Sequence, residues 1–455
     1  MIKSAEVLLV ASALIYLVLS KDLKGSASSR FAPSFIHQKS NQADRPSEGK
    51  LLRGSKGRFS FRRSLISAID DEASIIVFGP TRSGKTRNVA VPIIKSTEGS
   101  LVVTSVKDDL VKLTYPSRAD CSKVYFLGRS PIPGEPCYFW DPVGEVSDFL
   151  SAKVVAENLV SHAPGNLQGS SDTRFWYQLS SRLLAPVLLA AKYHGVGTKG
   201  VISWLDSASF QEPYEVLMGH REDQAAQTID SVRYWDEKQL SSVLITILSV
   251  AHSVELALPL VPDQSKCLVL GDLFRPSSGT FTLYMTSNFS NQRRLAPYFG
   301  ALNSTLASLA LSDRNGDAGL SGAGLSGAGS TGARLTIVLD EAANTAPMTE
   351  LAELASLGQG LGVRLVTILQ DVSQLKNAYS IAANTVVNNH RTKLFLPGIS
   401  DPETVSLAVS LISTGPAPTF EFSVRTLSNR SALLIQANSI AELVKFNARR
   451  RYFFS

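Results

Sequence analysis

The stretch Gly79-Pro80-Thr81-Arg82-Ser83-Gly84-Lys85-Thr86 fits G-x-x-x-x-G-K-[ST], the phosphate-binding loop, and no other feature restricts the possible folds of this chain so strongly. Such a loop works only between a buried strand and a helix, because its backbone N–H groups and the positive helix end must converge on one anion. Both flanks are legible. Ile75, Ile76, Val77 and Phe78 form an unbroken apolar run closed by Gly-Pro, which reads as a buried strand, and TRNVAVPII continues as the helix. The eight residues Gly79 to Thr86 are therefore the expected binding positions for ATP.

Further apolar runs, SLVVTSV and KVYFLG, read as neighbouring parallel strands of an α/β sheet. From Phe149 to Pro262 the texture changes to long helical periodicities, such as FWYQLSSRLLAPVLLAAKYHG and QLSSVLITILSVAHSVELAL, which predicts an all-helical insertion. Sheet-like segments return with KCLVLGDLF and GTFTLYMTSN, and TKLFLPG and SALLIQAN supply further strands. The stretch GDAGLSGAGLSGAGSTGAR is too small and Gly-rich to bury anything and reads as a flexible surface loop over residues 316–334. The expected division is a membrane anchor (1–22), a linker with a basic segment (23–64), a nucleotide-binding part (65–148), the all-α insertion (149–262) and a second nucleotide-binding part (263–455). At 455 residues the chain is long enough for such a core with a large insertion.

Immediately after the Gly-rich loop comes LTIVLDEAAN, an apolar β-prone run ending in Asp340 and Glu341. A carboxylate at the end of a central strand is where a phosphate-loop enzyme needs one, since Mg²⁺ takes oxygen ligands and keeps waters that an acid orients. The interval from the loop lysine, 340 − 85 = 255 residues, is wide for one nucleotide core, and the helical insertion accounts for it. A third run, GVRLVTILQD, leads to Gln370 as the previous one leads to Asp340. If these strands are adjacent, the Gln370 amide lies near the γ-phosphate, where a neutral donor senses it or steers the attacking water.

Ala5 to Ser20 is uncharged apart from Glu6 and is followed by Lys21, Lys24 and Arg30, so it reads as a single membrane anchor with the rest of the chain on the cytoplasmic side, in preference to a cleaved signal or a peripheral helix. Lys50, Arg53, Lys56, Arg58, Arg62 and Arg63 then stand together with no acid among them. Nucleic-acid phosphates and anionic lipid both suit that run. The net charge of +6 is modest for this length. Cys121, Cys137 and Cys267 form no C-x-x-C pair, which excludes a zinc motif and a disulfide framework, and the six histidines show no metal or nucleophile spacing.

In GPTRSGKT, LVVTSVKDDL, the FW that opens the insertion, LDEAANTAPMTELAELASLGQGLGVRLVTILQDVSQL and TVVNNHRTKLFLPGISDPETVSLAVSL, the chain resembles the TraG/TraD family of type IV secretion coupling proteins. The resemblance implies a RecA-like P-loop NTPase core, an inserted all-α domain that meets substrate, and a homo-hexameric ring beneath the membrane. It also implies that Lys85 contacts the β- and γ-phosphates, Thr86 ligates Mg²⁺, Asp340 holds the metal's water shell, Glu341 activates the attacking water and Gln370 reports the γ-phosphate. The partners it implies are DNA with its relaxase or other secreted proteins, and channel components of the secretion system. The chain departs from the pattern in two places. One membrane helix is visible where many relatives have two, and Gln359 stands in LGQGLGVR where relatives place an arginine, so that either Arg364 or Arg391 acts on a neighbouring site or hydrolysis is slow. The expected function is a conjugative coupling ATPase. The rivals are an FtsK/HerA-like DNA translocase and a substrate-docking module with little hydrolysis.

Overall fold

In the computed structural model the described residues contribute eleven strands: β1 (Ile75–Phe78), β2 (Ser100–Ser105), β3 (Lys123–Leu127), β4 (Cys137–Trp140), β5 (Cys267–Leu268), β6 (Phe281–Thr286), β7 (Leu335–Asp340), β8 (Val363–Leu369), β9 (Thr392–Phe395), β10 (Ser431–Gln436) and β11 (Glu442–Lys445). They form one sheet in the order β11-β10-β9-β1-β8-β7-β2-β6-β3-β4-β5. The structure describes residues 65–69, 73–164, 171–287, 289–312, 335–412, 424–428, 430–436 and 441–446, all within one unit of residues 49–455. The expected anchor, linker with basic segment, and loop 316–334 lie outside them.

The pairings from β9 through β5 are parallel, and β10 and β11 turn antiparallel at one edge. Parallel strands are covered on both faces, and alternation along the strand divides their side chains between two cores. Ile75 and Val77 join Leu101, Val103, Phe126 and Tyr284 on one face, with Val89, Ile93, Leu110 and Val111 from the covering helices. Ile76 and Phe78 join Val102, Leu127, Leu339 and Leu369 on the other. Each fully buried side chain of this kind contributes roughly 1.5 to 3 kcal/mol.

The runs SLVVTSV and KVYFLG do form parallel strands, but they are not neighbours. β6 lies between β2 and β3, and β7 with β8 lies between β2 and β1. Pairing within a parallel sheet goes through crossovers, so sequence order does not give spatial order. KCLVLGDLF yields only the two residues of β5 before a short helix, Leu270–Leu273.

Between β4 and β5 the described residues contain helices and no strand. The main helices are Phe149–Ser161, Ser171–His194, Gly197–Asp206, Gln211–Gly219, Asp223–Asp230 and Glu237–Ala257. The chain leaves the sheet at β4 and rejoins beside it, with Phe139 opposite Cys267 and Trp140 opposite Leu268. Two carboxylates secure that exit. Asp141 accepts from the Thr198 hydroxyl (2.6 Å) and amide (3.1 Å). Glu145 accepts from Trp140 Nε1 (3.2 Å) and the Leu270 amide (2.6 Å), and burial pushes its carboxyl above the usual range.

These helices share one apolar core with the sheet: Ala152, Val155 and Leu159 belong to the same cluster as Leu339 and Leu369. Helix Glu237–Ala257 is, among the described residues, long and apolar enough by length and composition to cross a membrane. Its Val243, Ile247, Val250 and Val254 are buried in that core.

Candidate functional site

The carboxyl ends of β1, β8 and β7 build the site, and register decides what meets there. Phe78 stands opposite Leu369 on one side and Phe395 on the other, while Asp340 stands opposite Ile368. The residues one step beyond, Gly79 and Gln370, therefore lie on the same edge of the sheet as Asp340 and Glu341. The expectation that the strands ending in Asp340 and Gln370 are adjacent holds, and β8 sits between the loop strand and the acidic strand.

The loop is held by close packing and by one special backbone conformation. Gly79 is buried, and a Cβ there would meet Ser83 Oγ at 2.6 Å and Leu396 Cβ at 2.8 Å. Gly84 adopts φ 94°, a left-handed conformation that favours glycine, and passes directly into the helix. The first helical residues, Lys85–Ala90, are wound as a π-helix before α-helix Val91–Ser96 begins. Pro92 lacks the N–H that an α-helix would direct at the Asn88 carbonyl, which favours the wider winding. No side chain caps this helix start, so it faces the loop as an anion-binding end.

Lys85 is only 5% exposed, and its ammonium donates to the Gly79 carbonyl (2.5 Å) and the Pro80 carbonyl (3.0 Å). Burial, followed by the positive charge of Lys107, moves it below the ordinary lysine range. Thr86 is half-buried, Thr81 and Arg82 are exposed, and Arg82 holds φ 65° at the crown of the loop.

Asp340 is 1% exposed and accepts from the Ser105 hydroxyl at 2.9 Å. Burial pushes its carboxyl upward, against the pull of Lys107 and Ser105. Glu341 sits at φ 62°, ψ 49°, a conformation unusual for a residue with a side chain. Thr345 steadies that turn by donating to the Asp340 carbonyl (2.9 Å) and the Glu341 carbonyl (3.1 Å). Gln370 is half-buried, and its backbone amide donates to Gln374 Oε1 at 2.9 Å.

Sequence reasoning missed Lys107, although LVVTSVKDDL was in view. Its ammonium lies 3.1 Å from Glu341 Oε1 and 3.4 Å from Asp340 Oδ2. Burial lowers its proton affinity, but the two carboxylates outweigh that and hold it above the ordinary lysine range. Nothing local marks a lysine two residues beyond a strand as a partner of acids 233 positions away.

Of the two arginines expected to reach a neighbour, Arg364 is excluded. It is 3% exposed, lies near the start of β8, and donates to the Ala73 carbonyl at 3.3 Å. Arg391 is exposed and donates to Gln359 Oε1 at 3.1 Å.

Two buried polar atoms at this edge, Ser83 Oγ and Asp340 Oδ1, have no hydrogen-bond partner among the described residues. Among those residues no three His, Cys, Asp or Glu side chains cluster as a metal cage. This donor set fits magnesium carried by a nucleotide, which relies on phosphate oxygens and few protein ligands.

Two family models match the chain: "Type IV secretory system Conjugative DNA transfer" over residues 32–252 and "TraM recognition site of TraD and TraG" over 334–415. Two curated Escherichia coli relatives, each a conjugal transfer protein TraG, are 22% identical over 325 and 317 residues and take in 67% of this chain. The chain spans 49% of the length of each. Among solved structures, the bacterial conjugative coupling protein TrwB, in its trigonal form with sulphate, superposes with a TM-score of 0.62 at 16% identity, covering 84% of this chain and 86% of that one. TrwB in complex with ADP and Mg²⁺ gives 0.59 at 16% identity over the same shares. The likeness fixes a RecA-like P-loop NTPase fold. With both family models matching in order along most of its length, the chain belongs to the TraG/TraD family of type IV secretion coupling proteins.

Proposed function

We propose that this chain is a membrane-anchored ATPase that recruits a relaxase-bound DNA strand or a protein substrate and energises its transfer through a type IV secretion channel. The observation that carries the reading is the convergence of the phosphate loop, Asp340 with Glu341, and Gln370 on one edge of three adjacent strands. A P-loop hydrolase needs that convergence because phosphoryl transfer depends on positioning and charge neutralisation more than on covalent chemistry.

The loop from Gly79 to Thr86 cradles the phosphates with backbone N–H groups beyond Pro80, since Pro80 has none and that of Gly79 is bonded to Leu369, and Lys85 exchanges the Gly79 and Pro80 carbonyls for the β- and γ-phosphates. The Thr86 hydroxyl would ligate magnesium and Asp340 would hold its water shell. When bound, that ion neutralises charge developing on the transferred group. Glu341 orients and deprotonates the attacking water, and Gln370 donates to the γ-phosphate edge. The left-handed backbone at Glu341 supports this reading, since strain of that kind persists where a side chain must be aimed. Arg391, exposed just before β9 at the amino end of the strands and away from its own phosphate loop, is the group to reach a neighbouring subunit in a homo-hexamer. The helices between β4 and β5, at residues 149–262, form the part that meets cargo. Residues 5–20 supply the anchor, with the ATPase in the cytoplasm.

The test is transfer. Lys85→Ala and Asp340→Asn each abolish conjugative transfer while the protein stays in the membrane fraction. Wild-type transfer by either variant defeats the reading. ATPase stimulation by bare duplex DNA, with no relaxase present, would replace it with an FtsK/HerA-like translocase.

A further inference from the structure

We propose that Lys107 is the counter-ion of the acid pair and that it competes with magnesium for Asp340. The proposal rests on the nucleotide reading given above. Its ground is geometric. The Lys107 ammonium bridges Glu341 Oε1 (3.1 Å) and Asp340 Oδ2 (3.4 Å). Its own backbone amide donates to Ser105 Oγ (3.1 Å), and Ser105 in turn donates to Asp340 Oδ2 (2.9 Å). The end of β2 and the acid pair at the end of β7 are thus one bonded unit.

Lys85 does not do this work, because its ammonium is turned back onto the loop carbonyls. The two lysines divide the site: Lys85 stays with the loop and Lys107 with the acids. Without Lys107, consecutive carboxylates, one of them fully buried, would stand uncompensated beside the place where a triphosphate enters. A hydrated divalent cation beside Asp340 meets a carboxylate that Lys107 already partly neutralises. Lys107 therefore competes with the ion's water shell for Asp340 and can keep Glu341 or turn to phosphate. Lys107 is therefore a positioning residue. It holds Asp340 and Glu341 in register, and it raises the magnesium concentration needed to load the site.

The experiment uses the full-length protein and a fluorescent ADP, titrated with Mg²⁺ from an EDTA-containing start. Lys107→Met is expected to need about tenfold less Mg²⁺ for half-maximal tightening of ADP, while binding ADP more weakly in EDTA. Lys107→Arg keeps the wild-type threshold. A merely structural loss would weaken both states together and would not lower the threshold. A threshold in Lys107→Met that is unmoved or raised, with wild type responding to Mg²⁺, overturns the proposal and leaves the nucleotide reading standing. ADP binding by wild type that ignores Mg²⁺ overturns both. If Lys107→Met does not fold, Lys107→Gln combined with Glu341→Gln removes one charge of each sign. Its threshold should fall below that of Glu341→Gln alone, and equality overturns the proposal.

Discussion

The Gly79 amide donates to the Leu369 carbonyl across 3.2 Å, and that bond ties the first residue of the phosphate loop to the last residue of β8. It places Gln370, the next residue, beside the loop without Gln370 having to form any part of it.

Gln370→Ala should consequently separate binding from turnover. ADP affinity should stay within about twofold of wild type, while ATP hydrolysis falls by about a hundredfold to a thousandfold, the loss seen when one aligned donor is removed. Steady-state ATPase rates alongside fluorescent ADP titration check this. Equal losses in both would remove Gln370 from the reaction.

The loop glycines should fail for different reasons. Gly79→Ala pushes a methyl into Ser83 and Leu396 and should cost about 1 to 3 kcal/mol by overpacking. Gly84→Ala must hold φ near 94° and meets Asn88 Nδ2, which costs about 1 to 2 kcal/mol in the backbone before any contact is counted. Urea denaturation midpoints measure both. A neutral Gly79→Ala would contradict the packing described for the loop.

Arg391 and Arg364 should part company. Arg391→Ala should leave nucleotide binding and fold stability near wild type and lower turnover of the assembled protein by about a thousandfold. Arg364→Met should instead lower stability, because the Ala73 carbonyl loses its buried donor. Turnover of the Arg391→Ala protein at the wild-type rate would assign the trans-acting role elsewhere.

His390 gives the fold a defined pH dependence. Buried with Thr367 at Nε2 (2.9 Å) and the Val386 carbonyl at Nδ1 (2.7 Å), it is lowered by burial from 6.5 to about 4. The unfolded chain then binds the extra proton first, so the contribution is complete above pH 6.5 and is lost as pH falls toward 4. Between pH 7 and pH 5 wild type should lose about 2 kcal/mol more than His390→Gln, measured by urea unfolding at each pH. Parallel losses in the two proteins would show that another group carries the effect.

Strand and helix identities were legible where a local rule applies. The run Ile75–Phe78 is apolar throughout because both faces of a parallel strand are covered, and Gly84 announces its left-handed turn by lacking a side chain. Asp340 and Gln370 stand out in the sequence because each closes an apolar run, and a strand end is where a sheet presents side chains to a ligand. Neighbours were another matter. SLVVTSV and KVYFLG carry no mark that β6, more than 150 residues later, separates them.

By itself, then, the sequence determined the phosphate-loop motif, the acidic pair and the glutamine at the ends of apolar runs, and the helical character of the described residues between β4 and β5, because each depends on residue type within a few positions. Only the tertiary structure decided that Lys107 faces Asp340 and Glu341, that Arg364 is sealed inside β8, and that β8 runs between the loop strand and the acidic strand. Those facts depend on crossover order and on which distant strands share a register, and hydrogen bonds between parallel backbones are the same whatever side chains the strands carry.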